Sequence, residues 1–177
     1  LKLNCKATIL MPITTPIVKI NAVQELNANV ILFGDNYDES YKEAIRLSEQ
    51  RNLIFIHPFD DPEVIAGQGT IGLELEQQLK NPPYAIYIAV GGGGLISGIS
   101  IYIKKIWPNV KIIGVEPEDA DAMSKSLKKS KIVELSTVGL FADGVAVKKV
   151  GTNTFEIAKK YIDKMITVNT DEICAGI

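Results

Sequence analysis

Four consecutive glycines, Gly91 to Gly94, separate an unbroken apolar run, Tyr84 to Val90, from a segment whose Leu95, Ile99, Ile103 and Ile106 recur at helical spacing. The run follows the Pro82-Pro83 pair and reads as a buried parallel strand. Glycines at a strand-to-helix junction let the backbone take positive φ and clear side chains away, so that main-chain N–H groups can close on a ligand. The unpaired N–H groups and dipole at a helix start favour an anion, above all a phosphate. A tight turn alone needs fewer than four glycines, so the chemistry expected here is phosphate binding by bare backbone.

Spacing narrows the kind of phosphate. A dinucleotide fingerprint needs G-x-G-x-x-G, but counting from Gly91 the sixth position is Ile96, and from Gly92 it is Ser97. A P-loop needs G-x-x-x-x-G-K-[ST]; Gly93 and Gly98 have that separation, yet Ile99 stands where the lysine belongs. A single phosphomonoester at one helix start fits better, and pyridoxal 5'-phosphate is a common cofactor with that handle.

The elements that must position this cup alternate strand and helix. Lys6–Met11, Val30–Phe33 and Leu53–Ile56 read as strands. Between them lie a helix from Thr15-Pro16 to about Asn27, with Thr15 as N-cap and Ile17, Ile20, Val23 and Leu26 buried, and one from Asp38 to Gln50. This βαβαβ order predicts a parallel sheet with right-handed crossovers. A helix over about 62–80 carries Gly67, Gly69 and Gly72 in its first half. Each costs about 1 kcal/mol against alanine, which implies close backbone packing or a nearby ligand. After the cup come a helix to Ile106, a Trp107-Pro108-Asn109 stop and a strand over 110–115. A charged helix near 120–129 follows, then Ile132–Leu135, an irregular 138–147 stretch, a helix near 153–163 and a strand over 165–168. A boundary is expected near Ile56: residues 1–56 as part of a small α/β domain, 57–177 as part of a larger one. The chain starts at Leu1 inside a strand pattern and stops at Ile177 just after Asp171-Glu172-Ile173 opens a helix, so it reads as an internal piece of a longer protein.

Composition limits the alternatives. With 46% hydrophobic and 23% charged residues among 177, the chain can build a core of ordinary size. A net charge of −2 gives no support to nucleic-acid or anionic-membrane binding. No apolar stretch approaches the roughly 20 residues of a membrane helix. Cys5 and Cys174 sit in apolar surroundings and read as buried thiols, which fits a reducing compartment.

Several segments carry a resemblance. Val90-Gly91-Gly92-Gly93-Gly94-Leu95 resembles the phosphate-binding tetraglycine loop of the fold-type II pyridoxal-phosphate enzymes. His57-Pro58-Phe59-Asp60-Asp61-Pro62 through Thr70 resembles the segment that precedes this loop in threonine dehydratases (threonine ammonia-lyases). Val138-Gly139-Leu140-Phe141-Ala142-Asp143-Gly144-Val145-Ala146-Val147 is similar to the biosynthetic type, as are Ile166-Thr167-Val168 and Asp171-Glu172-Ile173-Cys174. The likeness spans essentially the whole chain. It implies an α/β fold of parallel sheets flanked by helices, here an incomplete two-domain fragment. It also implies a lyase that converts threonine, with serine as a second substrate, to an oxo acid and ammonia in isoleucine biosynthesis. Cofactor contacts are implied at Gly91, Gly92, Gly93, Gly94, the N–H of Leu95, and the backbone near Gly144. The compartment implied is the cytoplasm, or the plastid stroma of a plant, and the full-length protein is expected to be a homo-oligomer. The family's Schiff-base lysine in Ser-x-Lys-x-Arg, its asparagine in Ser-x-Gly-Asn-His and its serine at the ring nitrogen are not found in this sequence. They are expected before Leu1 and after Ile177, so no catalytic residue is assigned to the chain, which as given should hold phosphate without turnover. The alternatives are a serine/threonine dehydratase or racemase of the same fold, a non-catalytic phosphate-binding relic, and a dinucleotide-binding domain that the failed spacing disfavours.

Other residues have plainer readings beside functional ones. Glu116 matches a position that helps hold a divalent cation in the related serine racemases, with Ala120 offering a carbonyl. The matching aspartate position carries Ala122, with Asp121 adjacent, and no metal is assigned. His57, the only histidine, reads as a packing or hydrogen-bonding residue before a general base. Asp143 shapes the Gly144 loop or faces the cleft. Gln68 and Thr70 pack a helix or line a cofactor floor. Ser97 and Ser100 lie on the cup helix, where Ser97 could reach phosphate or the surface. Lys104, Lys105 and the Lys125–Lys131 cluster read as solvated helix faces.

Overall fold

The computed structural model describes residues 5–139 and 141–177; Leu140, within one of the family-like segments, lies outside the described residues. The chain divides into two compact units, Leu1–Phe55 and Ile56–Ile177.

The first unit contains β1 (Thr8–Met11), α1 (Ile17–Glu25), β2 (Asn29–Leu32) and α2 (Tyr37–Gln50). β1 and β2 pair in parallel, Thr8 opposite Asn29 and Met11 opposite Leu32. α2 is capped by Asn36, not Asp38: the Asn36 side chain accepts the Glu39 N–H at 3.1 Å, and its side-chain amide donates to Glu39. α1 departs further from expectation. Its N-cap is Pro16, with no side-chain cap, and only Ile20 of the expected apolar face is buried. Ile17 and Leu26 are exposed. The expected strand at Leu53–Ile56 does not form among the described residues. A strand exists through its ladder, and among the described residues no strand pairs with residues 53–56; Ile54 is 92% exposed.

The second unit is built on three parallel strands in the order β3 (Ala85–Ala89), β4 (Lys111–Pro117), β5 (Lys164–Val168). Ala85 pairs with Lys111 and Ala89 with Val115, and Ile113 with Lys164 and Pro117 with Val168. The helices are α3 (Pro62–Gln78), α4 (Gly94–Ile106), α5 (Ala122–Lys129), α6 (Thr152–Tyr161) and α7 (Thr170–Ala175). The core joins Ile88 and Val90 of the sheet to Ile96, Ile99 and Ile103 of α4, with Phe155 of α6. Residues 132–135 carry no regular structure, although Leu135 is buried and its N–H is held by the Lys148 carbonyl at 2.9 Å.

The α3 glycines have different reasons. α3 and α4 cross backbone against backbone: a methyl placed on Gly98 would lie 2.6 Å from Gly69 N, and one on Gly72 would lie 3.0 Å from the Tyr102 side chain. Gly67 is exposed, and a methyl group there would meet nothing within 4 Å. Packing therefore accounts for Gly69 and Gly72, and no neighbour accounts for Gly67. Both cysteines are exposed, against the expectation of buried thiols. They lie near the ends of the described chain, where fewer elements surround them. No helix among the described residues is long and apolar enough to cross a membrane.

Candidate active site

The four glycines lie at the C-terminal end of β3 and lead directly into α4. Gly93 is the N-cap, with φ +95° and ψ 0°, a left-handed conformation that glycine adopts without strain. The others are required by close approach. A methyl on Gly91 would lie 2.9 Å from Val145 Cα, one on Gly94 would lie 2.9 Å from the Phe59 carbonyl oxygen, and one on Gly92 would overlap the Phe59 ring. Neighbouring segments thus press on the loop from several sides, and only its backbone fits.

The N–H groups of Gly91 through Ile96 donate to no acceptor among the described residues. The first four N–H groups of any helix are orphans, so the useful comparison is with the other helix starts of this unit. Asp61 accepts the Glu63 and Val64 N–H groups of α3 at 2.7 and 3.2 Å. Glu116 accepts those of Met123 and Ser124 in α5, both at 2.8 Å. Asp60, far away in sequence, accepts those of Thr152 and Thr154 in α6 at 2.8 and 3.1 Å. Asn169 and Glu172 form a reciprocal capping box on α7. Carboxylates or an amide of the protein occupy four of the five helix starts, and α4 alone presents bare donors and an uncompensated dipole. In the first unit α1 also starts without a side-chain cap, but on the exposed Ile17 and Val18. The α4 start is enclosed by Phe59, Val145 and Thr154. That donor set fits a phosphate dianion, and the glycine cradle leaves room for nothing bulkier on the protein side.

A model for one family, described as pyridoxal-phosphate dependent enzyme, matches residues 1–177. The chain belongs to the pyridoxal-phosphate dependent enzymes. It is 54% identical over 176 residues to the biosynthetic, chloroplastic threonine dehydratase of Arabidopsis thaliana, a match covering 99% of this chain and 30% of that protein. It is 57% identical to the mitochondrial threonine dehydratase of Schizosaccharomyces pombe, covering 99% and 29%. The processed form of threonine deaminase isoform 2 from Solanum lycopersicum superposes with a TM-score of 0.93 at 52% identity, over 99% of this chain and 48% of that one. The chain thus spans about 30% of the length of the curated relatives it matches. Its fold is the fold-type II α/β arrangement expected from the sequence, and the family's cofactor is pyridoxal phosphate.

The other residues singled out from the sequence have these places. The turn Asp143–Val145 abuts it through Val145, while Gly144 itself is exposed, with open space where a side chain would be. Leu95 is half-buried and its side chain packs on the core. His57 is a hydrogen-bonding residue: Nδ1 accepts the N–H groups of Phe59 and Asp60 at 3.2 and 2.9 Å. Burial lowers its pKa, against the opposing pull of Asp60 and Asp61. Glu116 is fully buried. Burial raises its carboxyl pKa, and the two N–H bonds from α5 oppose that rise. It spends both oxygens on α5, which sets Met123 beneath Gly93. Among the described residues no group of three or more His, Cys, Asp or Glu could hold a metal. Ser97 is buried, not at the surface, and its hydroxyl makes a long 3.5 Å contact to the Thr154 carbonyl. Ser100 bonds the Ser97 carbonyl within α4. Thr70 bonds the Gly67 carbonyl within α3, and Gln68 lies at the Gly98 contact. Lys104 is not a solvated surface lysine. Its side chain is 15% exposed and joins Asp163 at 2.7 Å and the Val110 carbonyl at 2.8 Å, tying α4 to the sheet.

Sequence reasoning missed Asp60 and Thr154. Their partners lie more than 60 residues away, and no local pattern announces such a pairing.

Proposed function

We propose that the full-length protein is a pyridoxal-phosphate-dependent threonine dehydratase that forms 2-oxobutanoate and ammonia. The single observation that carries the reading is the α4 start, whose N–H groups from Gly91 to Ile96 are bare while every other helix start of the unit is capped by the protein. The threonine dehydratases named among the relatives support the substrate. Gly91, Gly92, Gly93, Gly94 and the N–H of Leu95 hold the phosphate dianion, and the turn at Gly144 lies beside the ring. The cofactor, when bound, supplies the electron sink that makes the substrate Cα proton acidic. The residues of this chain bind and orient. The N–H groups and the helix dipole fix the phosphate, the Phe59 ring packs on the loop, and Met123 and Val145 close its other sides. The lysine that handles the proton and the partner of the ring nitrogen come from outside these residues. Residues 1–56 belong to a small domain and 57–177 to a large one. The working assembly is a homo-oligomer in the cytoplasm or an organelle such as the plastid stroma.

The test is release of 2-oxobutanoate from threonine by the full-length protein, with pyridoxal phosphate bound at one equivalent per chain. Release from serine alone, or interconversion of serine enantiomers without oxo acid, would overturn the threonine reading. Absence of bound cofactor would overturn the site.

A further inference from the structure

The Gly92 carbonyl and the Gly93 N–H belong to one peptide unit. In a trans peptide the two point in opposite directions, and no peptide bond among the described residues is cis. The Gly92 oxygen accepts the Thr154 hydroxyl at 2.7 Å, with the Gly151 N–H at 3.4 Å as a weaker second donor. Thr154 is fully buried, and its Oγ1 lies 3.2 Å from the Gly151 carbonyl, so its single proton goes to the nearer Gly92 oxygen. Holding that oxygen toward α6 turns the Gly93 N–H the other way, into the cup.

Among the described residues the peptide's oxygen has no further donor. The peptide lies between two glycines, where rotation about the flanking bonds meets no Cβ. Nor is the Thr154 hydroxyl needed to cap α6, because Asp60 already accepts the Thr152 and Thr154 N–H groups. Asp60 is fixed in turn: its own N–H donates to His57 Nδ1 at 2.9 Å, and its backbone oxygen accepts the Asn153 amide at 3.1 Å.

We propose that Thr154 is a positioning residue of the phosphate cup. Its hydroxyl locks the Gly92–Gly93 peptide so that the Gly93 N–H is presented to the ligand, and Asp60 is the anchor that sets Thr154. The proposal rests on the pyridoxal-phosphate reading above.

The experiment uses the full-length protein and its Thr154→Val, Thr154→Ser and Asp60→Asn variants. Binding of pyridoxal phosphate is compared with that of pyridoxal, which lacks the phosphate, and the phosphorus resonance of the bound cofactor is followed. Valine keeps the shape and removes the hydroxyl. One charge-assisted hydrogen bond to phosphate then loses its aim, so Thr154→Val should bind pyridoxal phosphate about 10- to 100-fold more weakly. Its affinity for pyridoxal should stay unchanged. Thr154→Ser should recover wild-type affinity within a few-fold. Asp60→Asn, which keeps one acceptor, should show a smaller loss that is still confined to the phosphorylated ligand. Equal weakening for both ligands, or wild-type affinity in Thr154→Val, would overturn the proposal. If Thr154→Val does not fold, the Asp60→Asn comparison decides on the same criterion. Wild-type protein that takes up no pyridoxal phosphate would instead defeat the underlying function, before any variant is compared.

Discussion

Gly98 and Gly67 offer a paired perturbation in which one chemical change should act with opposite signs. Both glycines lie inside helices, so replacing either by alanine gains the same helix propensity, about 0.5–1 kcal/mol. At Gly67 that gain stands alone, because an added methyl meets nothing within 4 Å. Gly67→Ala should stabilise by about 0.5–1 kcal/mol. At Gly98 the methyl would lie 2.6 Å from Gly69 N and 2.9 Å from Gln68 C, with Ile65 O nearer still. These are backbone atoms of α3 and cannot turn aside as a side-chain tip would. Reaching ordinary contact at 3.4 Å or more requires the two helices to separate by about 1 Å. Overpacking of that kind costs about 1–3 kcal/mol. Set against the propensity gain, Gly98→Ala should destabilise by about 1 kcal/mol, within a range of about 0–2.5 kcal/mol. The separation also displaces the first turn of α4, so cofactor affinity should fall with stability. Urea denaturation of the full-length protein gives the stability difference, and titration of the apoenzyme with pyridoxal phosphate gives the affinity. Equal effects of the two substitutions, or a Gly98→Ala protein as stable as wild type with unchanged affinity, would refute the argument that backbone contact between α3 and α4 sets the cup.

Two further outcomes follow from Glu116 and His57. Glu116→Gln replaces a carboxylate that accepts two α5 N–H groups with an amide that can accept only through its single oxygen. One buried N–H loses its partner, and chemical denaturation should show a loss of about 1–3 kcal/mol. A loss below a few tenths would show that water replaces the bond. His57 accepts two N–H groups through Nδ1, and burial lowers its pKa below 6.5. The unfolded chain therefore takes up its proton first, and this contribution is complete above pH 6.5. It is lost as pH falls from there through the lowered folded value. The thermal midpoint of wild type should decline over that window by more than that of His57→Asn, whose side-chain oxygen accepts without titrating. Parallel profiles for the two proteins would exclude His57 as the source.

The sequence by itself determined the alternation of strands and helices and the glycine cup between β3 and α4, and it pointed to the phosphate proposed for that cup. These are short-range facts: an apolar run, a helical period, and the conformations open to residues without a Cβ. Only the tertiary structure decided which donors stay free. Asp60 caps α6 from 92 residues away, and Thr154 reaches the Gly92 carbonyl across 62 residues. Glu116 spends its charge on α5, and Lys104 leaves the solvent for Asp163. The apolar run at Leu53–Ile56 pairs with no strand among the described residues, and Cys5 and Cys174 are exposed. Local pattern specifies what a segment is able to form. Whether a polar group is free to bind a ligand depends on every acceptor the fold brings within about 3 Å of it, and those acceptors are distant in the chain.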